Sequence, residues 1–337
     1  MKARSGRREA IMDEADKELL RDGRTVVVFG SMNMDLSVAC DRMPLAGETI
    51  HGSDFVTGAG GKGANQAVAA ARMGAKVHMI AAVGADTFGD QLVAGLEHDG
   101  IGTGQVRRLA DVPTGVAVIV RTGGDNRIVL AAGANTALDG REVIGSIDAL
   151  FDQGDARIGS IFLAQGECDL KATAQAIEHA HRRGMFTIFN PAPACNLPPQ
   201  TWREVDLVCL NETECESVVG IVPTDEDDCR RALEALCRLT EGAALVTLGA
   251  GGSALLFEDE YVHLPARTVD VVDTTAAGDT YLGALAAMRS QGFPLLDSAG
   301  EATCASALAV SRLGAQASIP TAEEVMAWLI EQWENDR

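Results

Sequence analysis

Asp273-Thr274-Thr275-Ala276-Ala277-Gly278-Asp279-Thr280 is a run of small residues that leads into a helical pattern, with a carboxylate at the helix mouth. The first backbone N–H groups of a helix have no intrahelical partner and sit at the positive end of its dipole. Such a mouth attracts phosphate, and small residues let phosphate approach the backbone. Asp279 is a poor phosphate ligand because the charges repel. It suits the task of taking a proton from a hydroxyl that attacks the phosphate, so the run points to phosphoryl transfer to an alcohol. The plainer alternative is an acidic residue that only stabilises a helix N-terminus.

Four other stretches offer matching chemistry. Gly58-Ala59-Gly60-Gly61-Lys62-Gly63 fits G-x-G-x-x-G, but an irregular β-rich segment separates it from the first strand, unlike a dinucleotide loop. It is not a Walker A loop either: Val56 stands where the first glycine belongs, and Gly63 where Ser or Thr belongs. Gly61 and Lys62 at a helix start, with Asn65 one turn in, can cradle an oxygen-rich ligand; a glycine turn with a surface lysine is the alternative. Asn33 and Asp35 follow the first strand two residues apart, so in extended chain they face one side and suit the vicinal hydroxyls of a sugar. A simple turn would also explain them. Asn211-Glu212-Thr213-Glu214 follows a later strand and suits either metal-bound phosphate or a helix N-cap. Thr247-Leu248-Gly249-Ala250-Gly251-Gly252 is a turn able to approach a nucleotide.

The elements that must position these groups alternate. Strands are expected at 25–31, 76–83, 160–164, 185–190, 206–210 and 243–248. Helices are expected at 64–73, 87–98, 170–183, 225–239, 277–290, 298–312 and 321–333. This is an α/β chain with a mostly parallel sheet flanked by helices. Two segments break the pattern, 36–57 and 114–130, the second reading as two short strands around Gly123-Gly124-Asp125-Asn126. Both read as β-rich insertions able to pair into a small β-sheet lid. Residues 1–23 are highly charged and read as an extension outside the fold; 24–337 reads as one domain.

The 337 residues, 47% hydrophobic and 23% charged, can bury a large core. A net charge of −20 argues against nucleic acid as a partner, since phosphate backbones call for a basic face. No run approaches the about 18 apolar residues of a membrane span, and the first residues lack the apolar core of a signal peptide. The eight cysteines form no Cys-x-x-Cys and the six histidines no ligand pattern. The expectation is a reduced, cytoplasmic protein with no membrane partner.

In their order, Gly30–Asp35, Gly60-Gly61-Lys62-Gly63-Ala64-Asn65-Gln66-Ala67, Gly133-Ala134-Asn135, Asn190-Pro191-Ala192-Pro193-Ala194, Asn211–Glu214 and Asp273–Thr280 resemble the ribokinase-like (PfkB) family of sugar kinases, from about Thr25 to the C-terminus. The resemblance implies a central sheet flanked by helices, a small β-sheet lid, and ATP-dependent phosphorylation of a free pentose, D-ribose at its 5-hydroxyl. It implies that Asn33, Asp35, Gly61, Lys62, Asn65 and Glu167 hold the sugar. Asp279 would be the base, with the N–H groups of Ala276, Ala277, Gly278 and Asp279 as the anion hole. Asn211, Thr247, Gly249, Gly252 and Gly278 would meet ATP, Glu214 would lie near Mg²⁺, and Thr303 near adenine. A monovalent-cation site, normally for K⁺, maps to Asp273, Thr275, Ala309, Arg312, Gly314 and Ser318, several through backbone carbonyls. The lid implies a homodimer. Tyr281 stands where the family often has Phe, and Ala250 where a polar residue is common. Other readings keep the fold and change the acceptor to deoxyribose, a nucleoside or a keto-deoxy sugar acid, or make the chain a non-catalytic sugar-binding regulator. The intact Asp279 argues against the regulator.

Overall fold

The computed structural model describes residues 24–123 and 125–335; the charged segment 1–23 lies outside the described residues. The chain opens with β1 (Val26–Phe29), then β2 (Asn33–Ala39), β3 (Ser53–Gly60) and α1 (Lys62–Arg72). There follow β4 (Val77–Gly84), α2 (Thr87–His98), β5 (Gly102–Leu109), β6 (Gly115–Thr122), β7 (Asp125–Ala131) and α3 (Gly140–Asp152). The middle of the chain runs β8 (Ile161–Gln165), α4 (Leu170–Arg182), β9 (Phe186–Asn190), α5 (Pro199–Trp202), β10 (Leu207–Asn211), α6 (Glu212–Val219) and α7 (Glu226–Thr240). It closes with β11 (Ala243–Thr247), β12 (Ser253–Phe257), β13 (Glu260–Leu264), α8 (Ala277–Ser290), α9 (Leu295–Val310) and α10 (Ala322–Asn335).

Nine strands form one sheet in the order β13-β12-β11-β10-β9-β8-β1-β4-β5. It is parallel from β11 to β5, and β12 and β13 add an antiparallel edge. The run Val26-Val27-Val28-Phe29 is apolar throughout because both sides of β1 are covered. Val26 and Val28 enter one core with α1, α8 and α9, while Val27 and Phe29 enter the other with α3, α4 and α7. Strand order reverses at β1, which pairs with β4 on one side and β8 on the other. The crevice beyond the carboxyl ends of such a switch is the usual ligand site of open α/β sheets.

A second, four-stranded sheet has the order β3-β2-β6-β7, with β2 and β6 parallel. It is built from the two segments that broke the alternation, so the expected large sheet with a small companion is met. The strand and helix at β5 and α3 were not expected. β5 is polar at an edge, with Arg107 and Arg108 in its run. α3 announces itself through the capping box of Asp139 and Glu142. α9 starts at Leu295, three residues before its expected start, because Pro294 opens it. No helix among the described residues is long and apolar enough to cross a membrane.

Candidate active site

The site begins where β1 and β8 end. Ser31, just past β1, donates its hydroxyl to Glu167 Oε2, just past β8. The same oxygen accepts the N–H of Lys62 at 3.1 Å, so Glu167 caps α1, whose N-cap position has no side-chain cap of its own. That position is Gly61, with φ +91°, where a Cβ would lie 2.8 Å from Asn33 N and 2.9 Å from Ser31 O. Only glycine fits this crossing of chain against chain. Asn135 clamps the neighbouring turn, accepting from Met32 N at 2.8 Å and donating to Asn33 Oδ1 at 2.7 Å.

α1 lies tightly on α8. A Cβ on Gly283 would meet Ala69 Cβ and Gln66 O at 2.4 Å, so this glycine permits the approach. Asp279, one turn earlier, is buried, and its two oxygens accept from α1: Asn65 Nδ2 to Oδ2 and Gln66 Nε2 to Oδ1, each at 2.9 Å. The carboxylate is thus fixed in orientation before any ligand arrives. The helix it belongs to is entered through Ala276, in the left-handed region at φ 59°, with no side-chain cap. An alanine there costs about 1–2 kcal/mol, and such strain gathers at functional sites. By contrast α2, α3, α4, α6 and α7 are capped by Asp86, Asp139, Asp169, Asn211 and Asp225. At the mouth of α8 Ala277 N donates to Thr274 O at 3.2 Å, and the N–H groups of Gly278 and Asp279 have no intrahelical partner.

A cleft of about 190 Å³ opens at this mouth, lined by Lys62, Asn190, Cys209, Leu210, Asn211, Glu214, Thr247, Thr274, Ala276, Ala277, Gly278, Asp279 and Leu282. A Cβ on Gly278 would meet nothing within 4 Å, so the space beside it is not filled by protein. Asn211 and Glu214 form a capping box, Glu214 N to Asn211 Oδ1 at 2.8 Å and Asn211 N to Glu214 Oε2 at 2.9 Å. The helix N-cap reading of this stretch holds, and both residues also line the cleft.

The charges are coupled. Burial, then Glu167 and Asp279, push Asp35 up to about 7. Burial works to lower Lys62, but the carboxylates of Asp279, Glu167 and Glu214 outweigh it and raise the ammonium above its ordinary value. Burial raises Glu214, with the Asn211 N–H and Lys62 pulling the other way and Asp279 and Glu212 adding to the rise. Lys62 thus holds one positive charge among acidic groups on both sides of the cleft.

Of the residues expected in the site, Lys62, Asn211, Glu214, Thr247 and Ala276–Asp279 line this cleft. Asn33, Asp35, Gly61, Asn65 and Glu167 do not line it, though Asn65 bonds to Asp279, Glu167 accepts from Lys62 N, and Asp35 feels the charges of Glu167 and Asp279. Gly249 and Gly252 sit in the turn after Thr247, outside the lining, and Gly252 at φ +92° lies against Leu264 O. Thr303 is in α9, with its hydroxyl donated to Ala299 O at 2.9 Å. Asp273 ties the entry loop of α8 to the loop after α9. It accepts from Thr275 N at 2.9 Å, Thr275 Oγ1 at 2.6 Å and Gly314 N at 3.0 Å. Burial opposes, but these bonds and the charge of Arg121 hold Asp273 below the usual carboxylate range. The Arg312 guanidinium turns away to Glu324 at 2.9 Å, and Ser318 Oγ donates to Ala315 O at 2.8 Å, which leaves Arg312 and Ser318 their carbonyls. Gln66, Gln165, Asn190, Asn135 and Ser31 were not expected as site residues. Ser31, Gln66, Asn135 and Asn190 lay inside motifs already singled out, which was their only signal; Gln165 lay in none.

The sequence pattern of the pfkB family carbohydrate kinases matches residues 24–322. The chain belongs to the pfkB family of carbohydrate kinases. This kinase is 38% identical to a ribokinase of Mus musculus over 79% of its own length and 81% of the mouse protein. It is also 38% identical to a ribokinase of Schizosaccharomyces pombe, over 89% of this chain and 96% of the yeast protein. Its fold matches that of an Arabidopsis thaliana ribokinase solved with ribose and ATP, with a TM-score of 0.80 and 28% identity, covering 90% of this kinase and 98% of the plant chain.

Proposed function

We propose that this kinase transfers the γ-phosphoryl group of ATP to the 5-hydroxyl of D-ribose, with Asp279 as general base. The observation that carries this reading is the Asp279 carboxylate, pinned by Asn65 and Gln66 at the uncapped mouth of α8 and facing the cleft opposite Lys62. The ribokinase relatives, one of them solved with ribose and ATP, support the choice of substrate.

Asn33 and Asp35 lie on one face of β2, and Asp35 feels the charges of Glu167 and Asp279. Asn33 and Asp35 would hold the sugar hydroxyls, with Glu167 Oε1 left over from the cap of α1. The hydroxyl nearest Asp279 gives up its proton as its oxygen bonds to the γ-phosphorus, and the bond from phosphorus to the β-bridging oxygen breaks. Positioning and charge stabilisation do most of the work in such a transfer. The N–H groups of Ala276–Asp279 form the anion hole for the developing charge.

A triphosphate entering a cleft that already holds Glu214 and Asp279 needs a cation with it. Mg²⁺ binds through phosphates, waters and one or two carboxylates, which fits the single lining carboxylate Glu214 on the nucleotide side; when bound it would neutralise phosphate charge. The loops of Asp273, Thr275, Arg312, Gly314 and Ser318, with Ala309 in the last turn of α9, offer a carboxylate and carbonyls, an all-oxygen set suited to K⁺. Asn211 and Thr247 would meet the phosphates and ribose of ATP, with Gly249, Gly252 and Thr303 further out toward adenine.

The small sheet would act as a lid over the sugar. It exposes Val56, Ile128 and Leu130 on the face of Asp35, and Phe55, Val118 and Val129 on the other. Apolar area of this kind marks an interaction site, here a second copy of the chain, in a cytoplasmic homodimer. Sedimentation velocity of the native chain against Val118→Lys/Val129→Lys tests the dimer; a monomeric native chain contradicts it.

A coupled ADP-release assay with D-ribose, 2-deoxyribose, adenosine and 2-keto-3-deoxygluconate tests the substrate. Ribose should give the highest kcat/KM. A higher value for any other acceptor overturns the assignment.

A further inference from the structure

Gln66 is fully buried and stands between three other polar side chains. Its Nε2 donates to Asp279 Oδ1 at 2.9 Å and to Asn190 Oδ1 at 3.2 Å; its Oε1 accepts from Gln165 Nε2 at 2.8 Å. Asn190 in turn donates Nδ2 to the backbone carbonyl of Cys209 at 2.9 Å. Gln165 and Asn190 are the last residues of the adjacent strands β8 and β9 and stand in register, and Cys209 lies in the middle of the next strand, β10.

The chemistry of the chain's two ends sets the direction of every amide in it. The Cys209 carbonyl can only accept, so Asn190 must turn its NH₂ there and its oxygen toward Gln66. An ionised Asp279 can also only accept. Both neighbours therefore demand the NH₂ of Gln66, and Gln165 fills the acceptor that remains. An amide turned the other way would set oxygen against oxygen at two contacts, and an unpaired buried polar group costs more than a bond is worth.

We infer that Gln66 is a positioning residue that holds the Asp279 carboxylate aimed at the acceptor hydroxyl, with its own orientation set from the main sheet through Gln165 and Asn190. The inference rests on Asp279 being the base. Asn65 holds the other oxygen and belongs to the sugar site; Gln66 lines neither the cleft nor the sugar side. Its loss should therefore be felt in turnover and hardly in binding. The charged groups acting on this part of the site are Lys62 on the same helix, Asp35 on β2, Glu167 after β8 and Glu214 on α6. None of them changes in the variants below.

Gln66→Met keeps the chain length and removes the amide. It should lower kcat about 10- to 100-fold, the scale of one hydrogen bond to a charged group, with the KM values for ribose and ATP within about threefold. Gln165→Met, outside the cleft, should lower kcat about 3- to 10-fold, and the double variant should be no slower than Gln66→Met, because Gln165 acts only through Gln66. Gln66→Glu, the same size, keeps the contact with Gln165 and tests the point should the methionine variant fail to fold. It sets a carboxylate against Asp279 and should also lose at least tenfold in kcat. Normal kcat in Gln66→Met or Gln66→Glu overturns the inference, as do multiplicative effects of the 66 and 165 changes or a KM change as large as the kcat change. Asp279→Asn run alongside separates the two levels. If it is inactive while the Gln66 variants turn over normally, only the positioning role fails. If it turns over normally, the base assignment fails and the positioning role with it.

Discussion

Gly60 and Asp35 compete for one space in the small sheet: a Cβ added to Gly60 would lie 2.3 Å from Asp35 Oδ2 and 2.6 Å from both Oδ1 and Cγ. The glycine is what allows the carboxylate its place against β3. Gly60→Ala should therefore displace Asp35 without touching the phosphate site. Ribose KM should rise about tenfold or more, the scale of a lost charge-assisted bond, with kcat and ATP KM within about threefold. Steady-state kinetics with both substrates varied checks this; an unchanged ribose KM contradicts it.

Asp35, pushed up to about 7 by burial and by Glu167 and Asp279, gives the sugar site a pH dependence. Ribose hydroxyls bind best to the ionised carboxylate, so affinity falls with pH below about 7. Between pH 8 and pH 6 the loss for such a group is about tenfold. Titration calorimetry across this range checks it, and Asp35→Asn should bind weakly with little pH dependence.

The same residue costs stability. Its folded-state value lies above the unfolded value of 3.8, so from about pH 4 to about pH 7 the folded chain keeps a proton that the unfolded chain has lost. Stability therefore falls as pH rises through that window. Without ligand, Asp35→Asn should melt above the native chain at pH 8, and the difference should close by about pH 4–5. A lower Tm for the variant at pH 8 would contradict the account.

Gly278 separates stability from catalysis. A methyl there meets no protein atom within 4 Å and enters the cleft at the anion hole. Replacing glycine by alanine in a helix gains about 0.5–1 kcal/mol when nothing clashes. Gly278→Ala should thus hold or raise Tm while lowering kcat by an order of magnitude or more.

Asp273 joins the entry loop of α8 to the loop at Gly314. A large monovalent ion held between them would firm the helix mouth without touching substrate. The expectation is activation by K⁺ well above Na⁺, mainly in kcat, at constant ionic strength. Equal rates in K⁺, Na⁺ and a bulky organic cation would sink it.

The local part of this site was legible in the sequence. The Asp273–Thr280 run declared a helix mouth because small residues, a glycine and a carboxylate lie close together at its start, and α8 begins and ends where its pattern predicts. Asn33 and Asp35 share a face through simple strand alternation. What could not be read was pairing across the chain. Gln66 and Asp279 are 213 positions apart, and Ser31 and Glu167 are 136 apart. Those contacts exist because β1 lies beside β8 and because Gly283 lets α1 close on α8, and no local period encodes either fact. Gln66 read as one more polar residue after a glycine loop; only the fold shows that it meets the base.

The central claim is that Asp279 takes the proton, and Asp279→Asn tests it most directly. Asparagine preserves the size of the side chain and can still bond to Asn65 or Gln66 through its oxygen. Calorimetry should show ribose and ATP binding within a few-fold of the native chain, while kcat falls about 10²–10⁴-fold, the usual span of general-base catalysis. Near-native kcat in a variant that binds both substrates would contradict the account.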